Sequence, residues 1–128
     1  MNETNDLIVD LRKDTIQPHQ FDFGEALRLL KDGQMVSRLG WNGKGMFVFM
    51  RPADEITPKT IVNVIKSLPL TVKDFIDKKY GNETHYASGD EIKVKFTEYL
   101  CMYSADDSIV NGWLASQTDM LANDWIIF

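Results

Sequence analysis

The sequence predicts an α+β fold in which a small antiparallel β-sheet carries an N-terminal helix and the middle of the chain adds a helical insertion. Three observations indicate it: a helical apolar pattern precedes two strand-like runs, a proline-bounded helical block follows, and short strand-like runs return near the C-terminus. The composition, 44% hydrophobic and 26% charged, is that of a globular protein. We therefore predict one domain over residues 1–128, with residues 1–20 as a lead-in and residues 51–91 as the insertion.

The first predicted elements are the lead-in and a helix. One apolar patch in the lead-in, residues 7–11, is compatible with an edge strand or with a helical turn, and Pro18 closes it off. Asp22 and Glu25 then form a capping-box pattern that begins a helix over residues 23–32, and Gly33 suits its C-terminal end. The apolar face of this helix has helical spacing and consists of Phe23, Ala26, Leu27 and Leu30.

A hairpin is predicted next, because strand-like runs at residues 34–37 and 46–50 flank the glycine-rich segment Arg38–Gly45. Its Asn42-Gly43 pair accepts the positive φ angles that a tight turn requires. A tryptophan and a lysine beside such a turn also make a candidate ligand rim.

The middle block is predicted to contain two helices. Thr57-Pro58 is a helix start with proline at the first helical position, and Pro69 is the predicted end. A second helix is predicted over residues 72–80, with Phe75 and Ile76 facing inward, followed by a polar loop at 81–90.

Short strands and one helix make up the predicted C-terminal part. Residues 92–96 alternate as a strand with one wet face, 99–103 form a more buried strand, 104–108 a turn and 109–110 a short strand. Ser116, with Asp119 three residues later, caps a short helix, and residues 125–128 end the chain as a strand.

Charge and cysteine content exclude several classes. The net charge of -5 argues against binding of DNA or RNA, because general nucleic-acid binding requires a basic face. No apolar run approaches transmembrane length and no signal peptide pattern is present, so we expect no membrane association. The single cysteine, Cys101, lies in an apolar run, which predicts a buried structural thiol and a cytoplasmic protein.

The residues that carry metal or acid–base chemistry are sparse. Two histidines and one cysteine show no ligand spacing, so we expect no metal and no cofactor. The carboxylate pairs Asp90-Glu91 and Asp106-Asp107 fall in predicted turns, where aspartate is expected for backbone reasons. Ser116 has no recognisable general base, and helix capping explains it better than nucleophilic catalysis. The residues alone therefore favour a small α+β binding module whose ligand they do not identify.

What remains is a set of side chains suited to binding a nucleotide. Trp41 and Trp113 can stack a purine, and Arg38 and Lys44 can neutralise phosphate, while amide side chains can read a base edge. Each has a structural alternative: core tryptophans, solvated charges, a turn asparagine and helix caps. The candidate ligand-binding residues are Arg38, Trp41, Asn42, Lys44, Asn111, Trp113, Ser116, Gln117 and Asp119.

Three sequence blocks together resemble one known family. Phe23–Gly33 leads into Arg38–Met46, and the third block is Trp113–Trp125. In their order along the chain and in their residues, these blocks are similar to the Thoeris anti-defense 2 family of small phage and prophage proteins. The resemblance covers residues 23–50 and about 99–128, leaving 1–20 and 51–91 outside.

The resemblance implies a non-catalytic sponge. Such proteins sequester the cyclic ADP-ribose-type messenger of a bacterial TIR-domain immune protein, and some also bind cyclic oligonucleotides. It further implies homo-oligomers, typically tetramers with a dimer as the alternative, whose pockets lie at protomer contacts. The positions carried over by motif are Trp41, Asn42, Lys44, Trp113, Ser116, Gln117 and Asp119.

Two other functions compete with sequestration at this point. A nucleotide phosphodiesterase or other hydrolase would need a metal or histidine cluster that the pattern lacks. A structural or interaction module of a phage particle would bury Trp41 and Trp113 at subunit contacts.

Overall fold

The computed structural model describes residues 7–10, 15–81 and 92–128. Contacts group the chain into two compact units, one comprising residues 1–51 and 99–128 and the other residues 52–98. That the chain is a single domain stays a prediction. The strands are β1 Leu7–Asp10, β2 Thr15–Pro18, β3 Val36–Arg38, β4 Phe47–Arg51, β5 Asp54–Ile56, β6 Val94–Phe96, β7 Tyr99–Tyr103, β8 Ile109–Asn111 and β9 Trp125–Ile127. The helices are α1 Phe23–Lys31, α2 Pro58–Asn63, α3 Leu70–Tyr80 and α4 Gln117–Leu121.

An antiparallel sheet with α1 packed on it forms the first unit, and this confirms the predicted α+β class. Within the described residues this sheet has five strands, in the order β8-β7-β4-β3-β9. The longest pairing joins β4 to β7, from Phe47 opposite Tyr103 to Arg51 opposite Tyr99. The α1 helix contacts β3, β4 and β9. The buried core between helix and sheet consists of Ala26, Leu30, Val36, Val48 and Trp125.

The N-terminal cap of α1 forms as predicted, because the Asp22 carboxylate accepts the Glu25 N–H at 2.9 Å. The Glu25 carboxylate pairs with Arg28 instead of returning to the cap. Gly33, with φ +88°, stands where a left-handed residue ends the helix. The lead-in patch resolves to a strand, since β1 pairs antiparallel with β2.

The second unit contains α2, α3 and the antiparallel pair β5–β6. Thr57 caps α2, whose first residue is Pro58, as predicted, but the helix ends at Asn63 and does not reach Pro69. Pro69 instead precedes α3, and because a residue before proline avoids the helical region, the chain turns between the two helices.

One side-chain prediction in this unit was wrong. Ile76 is buried, but Phe75 is 62% exposed. Consecutive helical residues point about 100° apart, and in α3 the packed side is the one that carries Ile76. Most of the predicted polar loop, including the pair Asp90-Glu91, lies outside the described residues.

The C-terminal predictions hold closely. Strands β7, β8 and β9 and helix α4 occupy the predicted positions, and β6 begins at Val94. Cys101 is buried in β7 as predicted, and its Sγ lies 3.6 Å from Oδ1 of Asn111. Within the residues that the structure describes, no helix is long and apolar enough to cross a membrane.

Candidate functional site

The connection between β3 and β4 forms one side of the candidate site. After extended Arg38 the chain makes a 3₁₀ turn over Leu39–Trp41 and then enters the left-handed region at Asn42, Gly43 and Gly45. The prediction that Asn42-Gly43 takes positive φ is therefore confirmed. The connection is nevertheless a loop over residues 39–46 and not a two-residue turn, because Trp41 folds back onto the core instead of continuing the strand.

All three tryptophans of the chain meet at one place. Trp125 is fully buried, and the rings of Trp41 and Trp113 stand edge-on to it at centroid distances of 5.3 and 6.4 Å. Trp41 and Trp113 stand edge-on to each other at 6.3 Å and are both partly exposed. Edge-to-face contacts are a favoured aromatic arrangement, so the three rings stabilise one another's orientation. We call Trp41, Trp113 and Trp125 the tryptophan cluster.

Arg38 joins the second motif block, Arg38–Met46, to the third, Trp113–Trp125. Its Nη1 donates to Oδ1 of Asp119 at 2.7 Å and its Nε to Oδ1 of Asp124 at 2.7 Å, while Nη2 lies 3.4 Å from Oδ2 of Asp124. The Arg38 side chain is only 15% exposed. The hydrogen bond from Arg38 lowers the pKa of Asp124, and the same bond raises the pKa of Arg38. The guanidinium is thus held by two carboxylates.

Asp124 lies in the third motif block but is not among the nine candidate ligand-binding residues predicted from the sequence. Besides Arg38, its Oδ2 accepts the Gly40 N–H at 2.8 Å, and its main-chain oxygen accepts the Leu39 N–H at 3.1 Å. Because 86 residues separate Arg38 from Asp124, no local spacing signals this pairing.

The remaining predicted residues take different positions. Asn42 and Lys44 are exposed on the loop, and Gln117 is exposed at the start of α4. Asn111 is exposed on β8, beside Cys101. The Ser116 Oγ accepts the Asp119 N–H at 3.1 Å, which confirms the predicted cap. The structure thus brings together Arg38, Trp41, Trp113 and Asp119, and the ligand-binding role of all nine residues stays a prediction.

Within residues 7–10, 15–81 and 92–128, no group of three histidine, cysteine, aspartate or glutamate side chains is arranged to hold a metal ion. Asp106 serves its turn instead: the Ser104 and Ser108 hydroxyls donate to it, which lowers its pKa to about 2.

Two comparisons with known proteins bear on this site. A sequence model described as the Thoeris anti-defense 2-like domain matches residues 21–128. A protein called Thoeris anti-defense 2, from Bacillus phage SP01, is 32% identical over 108 residues, which cover 84% of this chain and 94% of that protein. The matched span includes the middle block, so the expectation that residues 51–91 lie outside the resemblance was wrong.

Proposed function

The chain belongs to the Thoeris anti-defense 2-like family, and from that premise we propose that it counters a bacterial anti-phage defence by sequestering a cyclic nucleotide messenger. The proposed ligand is a cyclic ADP-ribose isomer, with cyclic oligonucleotides as further candidates. In this proposal the protein acts in the host cytoplasm as a homo-oligomer and holds the messenger chemically unchanged, without metal, cofactor or turnover.

The observation that carries the proposal is the meeting of the second and third motif blocks in one chain. The second block contributes Arg38 and Trp41, and the third contributes Trp113 and Asp119. Residues far apart in sequence are thereby fixed beside two partly exposed aromatic rings. A rigid aromatic surface of this kind suits tight binding, because little side-chain freedom is lost when a ligand docks.

Stacking on indole supplies the main attraction in this proposal. By analogy with single-strand binders, an aromatic ring contributes about 1–3 kcal/mol per stacked base. Trp41 and Trp113 are the stacking candidates, whereas Trp125 is fully buried and its ring packs edge-on against both of theirs.

Charge complementarity assigns a phosphate contact to Lys44. Arg38 already donates to two carboxylates, whereas Lys44 is exposed on the same loop as Trp41. A chain with net charge -5 needs a local cation to attract an anionic messenger. Asn42 and Gln117, both exposed, are the amides we assign to base or ribose edges.

The decisive experiment measures binding and the fate of the ligand together. Cyclic ADP-ribose isomers and cyclic dinucleotides are screened by thermal shift and calorimetry, and a ligand at a hundred times its Kd should stabilise the protein by about 2.7 kcal/mol. Bound ligand, recovered after denaturation, should be chemically intact. Cleaved product would instead establish a hydrolase, and no binding across the panel would reject the proposal.

Matched variants locate the site. Trp113→Ala should weaken binding by about tenfold or more, whereas Phe75→Ala, at an exposed aromatic position of the second unit, should leave the Kd unchanged. Size-exclusion chromatography of both variants separates a lost ligand contact from a lost assembly. Dissociation of the oligomer in Trp113→Ala would favour the phage-particle module instead.

A further inference from the structure

We propose that Asp124 is a positioning residue of the candidate site: it fixes the backbone before Trp41 and thereby sets the orientation of the tryptophan cluster. The inference rests on the proposed function only for its consequence on ligand affinity. Its geometric part rests on contacts within the first unit.

Asp124 holds three consecutive residues of the β3–β4 connection. Its carboxylate accepts from the Arg38 side chain and from the Gly40 N–H, and its main-chain oxygen accepts from the Leu39 N–H. Trp41 follows directly, as the last residue of the 3₁₀ turn that begins at Leu39. Because these bonds fix the turn on the Arg38 side, they also fix where the Trp41 ring enters the cluster.

The residue after Asp124 is Trp125, the buried member of the cluster. The dipeptide Asp124-Trp125 therefore supplies both the carboxylate that holds the loop and the ring on which Trp41 packs. The Trp125 Nε1 donates to the main-chain oxygen of Asp119 at 2.9 Å, and Asp119 also accepts from Arg38. Loop, helix α4 and cluster are therefore connected through hydrogen bonds, of which those from Arg38 to the two carboxylates are charge-assisted.

The geometry requires a carboxylate and not an amide. Oδ1 accepts from Arg38 Nε, and Oδ2 accepts from the Gly40 N–H. Asparagine has one acceptor oxygen and one NH₂ group, so either orientation sets a donor against a donor. Gly40 is equally constrained, because a Cβ there would lie 2.9 Å from Asp124 Oδ2 and 3.1 Å from Arg38 Nη2.

The test exploits the fact that the three tryptophans of the chain are the three members of the cluster. Near-ultraviolet circular dichroism in the tryptophan region therefore reports on this arrangement without any ligand. Asp124→Asn should lose at least about half of that signal while the far-ultraviolet spectrum stays folded. Asp124→Glu, which keeps two acceptor oxygens, should recover part of it.

Asp74→Asn is the matched control. It makes the same change of charge at an exposed residue of α3 that pairs only loosely with Lys78, at 3.7 Å. Its tryptophan spectrum and its Kd should equal those of the unmodified protein. If Asp124→Asn is too unstable to fold, Gly40→Ala replaces it as the test variant. The added Cβ pushes the Asp124 carboxylate away from the loop while the carboxylate itself is kept.

The ligand arm uses a cyclic nucleotide that the unmodified protein binds in the panel above. Asp124→Asn should bind it about tenfold more weakly, the loss expected when one stacking ring is misplaced. An unchanged tryptophan spectrum with an unchanged Kd in a folded variant would overturn the inference and leave Asp124 a stabilising residue only. If the unmodified protein binds no cyclic nucleotide, the proposed function fails, and the spectral arm still decides the placement.

Discussion

Replacing Arg38 by methionine removes the cation that two carboxylates share. Asp119 and Asp124 are only 14% and 26% exposed, and each accepts from Arg38 at 2.7 Å. Methionine keeps most of the apolar stem but no donor, so Asp119 loses its charged partner. The Asp124 carboxylate keeps only the Gly40 N–H among its contacts described above.

The expected loss follows from this geometry. Removing one partner of a buried ion pair costs about 3–5 kcal/mol, because the remaining charge is left uncompensated. Since both carboxylates retain some contact with water, we expect about 2–3 kcal/mol for Arg38→Met. At about 4 °C per kcal/mol for a protein of this size, the Tm should fall by about 8–12 °C.

Arg28→Met is the matched control, because it makes the same change at an arginine that is 71% exposed and pairs with Glu25 on the surface of α1. Exposed pairs of this kind contribute little to stability, so we expect a much smaller loss in Arg28→Met than in Arg38→Met. Urea unfolding of both variants, followed by circular dichroism, measures the two free energies. Equal losses in the two variants would refute the reasoning that the Arg38 contacts are a structural lock.

Two further outcomes are expected. Because the Arg38 hydrogen bond lowers the pKa of Asp124 below its ordinary value of about 3.9, the stability it contributes is present above that value and is lost as pH falls through the lower folded pKa. Urea unfolding between about pH 5 and pH 2 should therefore show a steeper acid loss in the unmodified protein than in Arg38→Met, and parallel curves would contradict this. Ser116→Ala should cost about 1 kcal/mol through the lost cap of α4, and Ser116→Asp should restore it. If Ser116→Asp restores stability but not nucleotide binding in the same calorimetric assay, Ser116 contacts the ligand as well as capping the helix.

Features that depend on neighbours in sequence were predicted well. The cap at Asp22 and the cap at Ser116 both act on an N–H three residues later, so the spacing alone specifies the contact. The positive φ of Asn42 likewise follows from the intrinsic preference of asparagine followed by glycine. The strands of the five-stranded sheet are predictable because their apolar runs are bounded by turns.

Features that depend on tertiary contacts were not predictable in the same way. Asp124 looks like any acidic residue after a helix until the fold brings it against Arg38 and Gly40. Apolarity alone predicts Phe75 inward, but the side of α3 that packs depends on its contact with α2, and that side carries Ile76. Glycine and tryptophan make the motif blocks recognisable, whereas residues 51–91 contain no tryptophan, so the family match over this block could not be read from such residues.

The pairing of β4 with β7 also determines how the chain tolerates change in length. Arg51 ends β4 directly opposite Tyr99, where β7 begins. The second unit, residues 52–98, is the segment of chain between these two residues. Directly opposed residues of antiparallel strands have Cα atoms about 4.5–5.5 Å apart, a gap that a tight turn closes. We therefore expect the register of the sheet to be independent of what is inserted between them. For the same reason, we expect the chain to tolerate changes between Arg51 and Tyr99. The second unit could be shortened there, replaced by another small domain or used to carry a label.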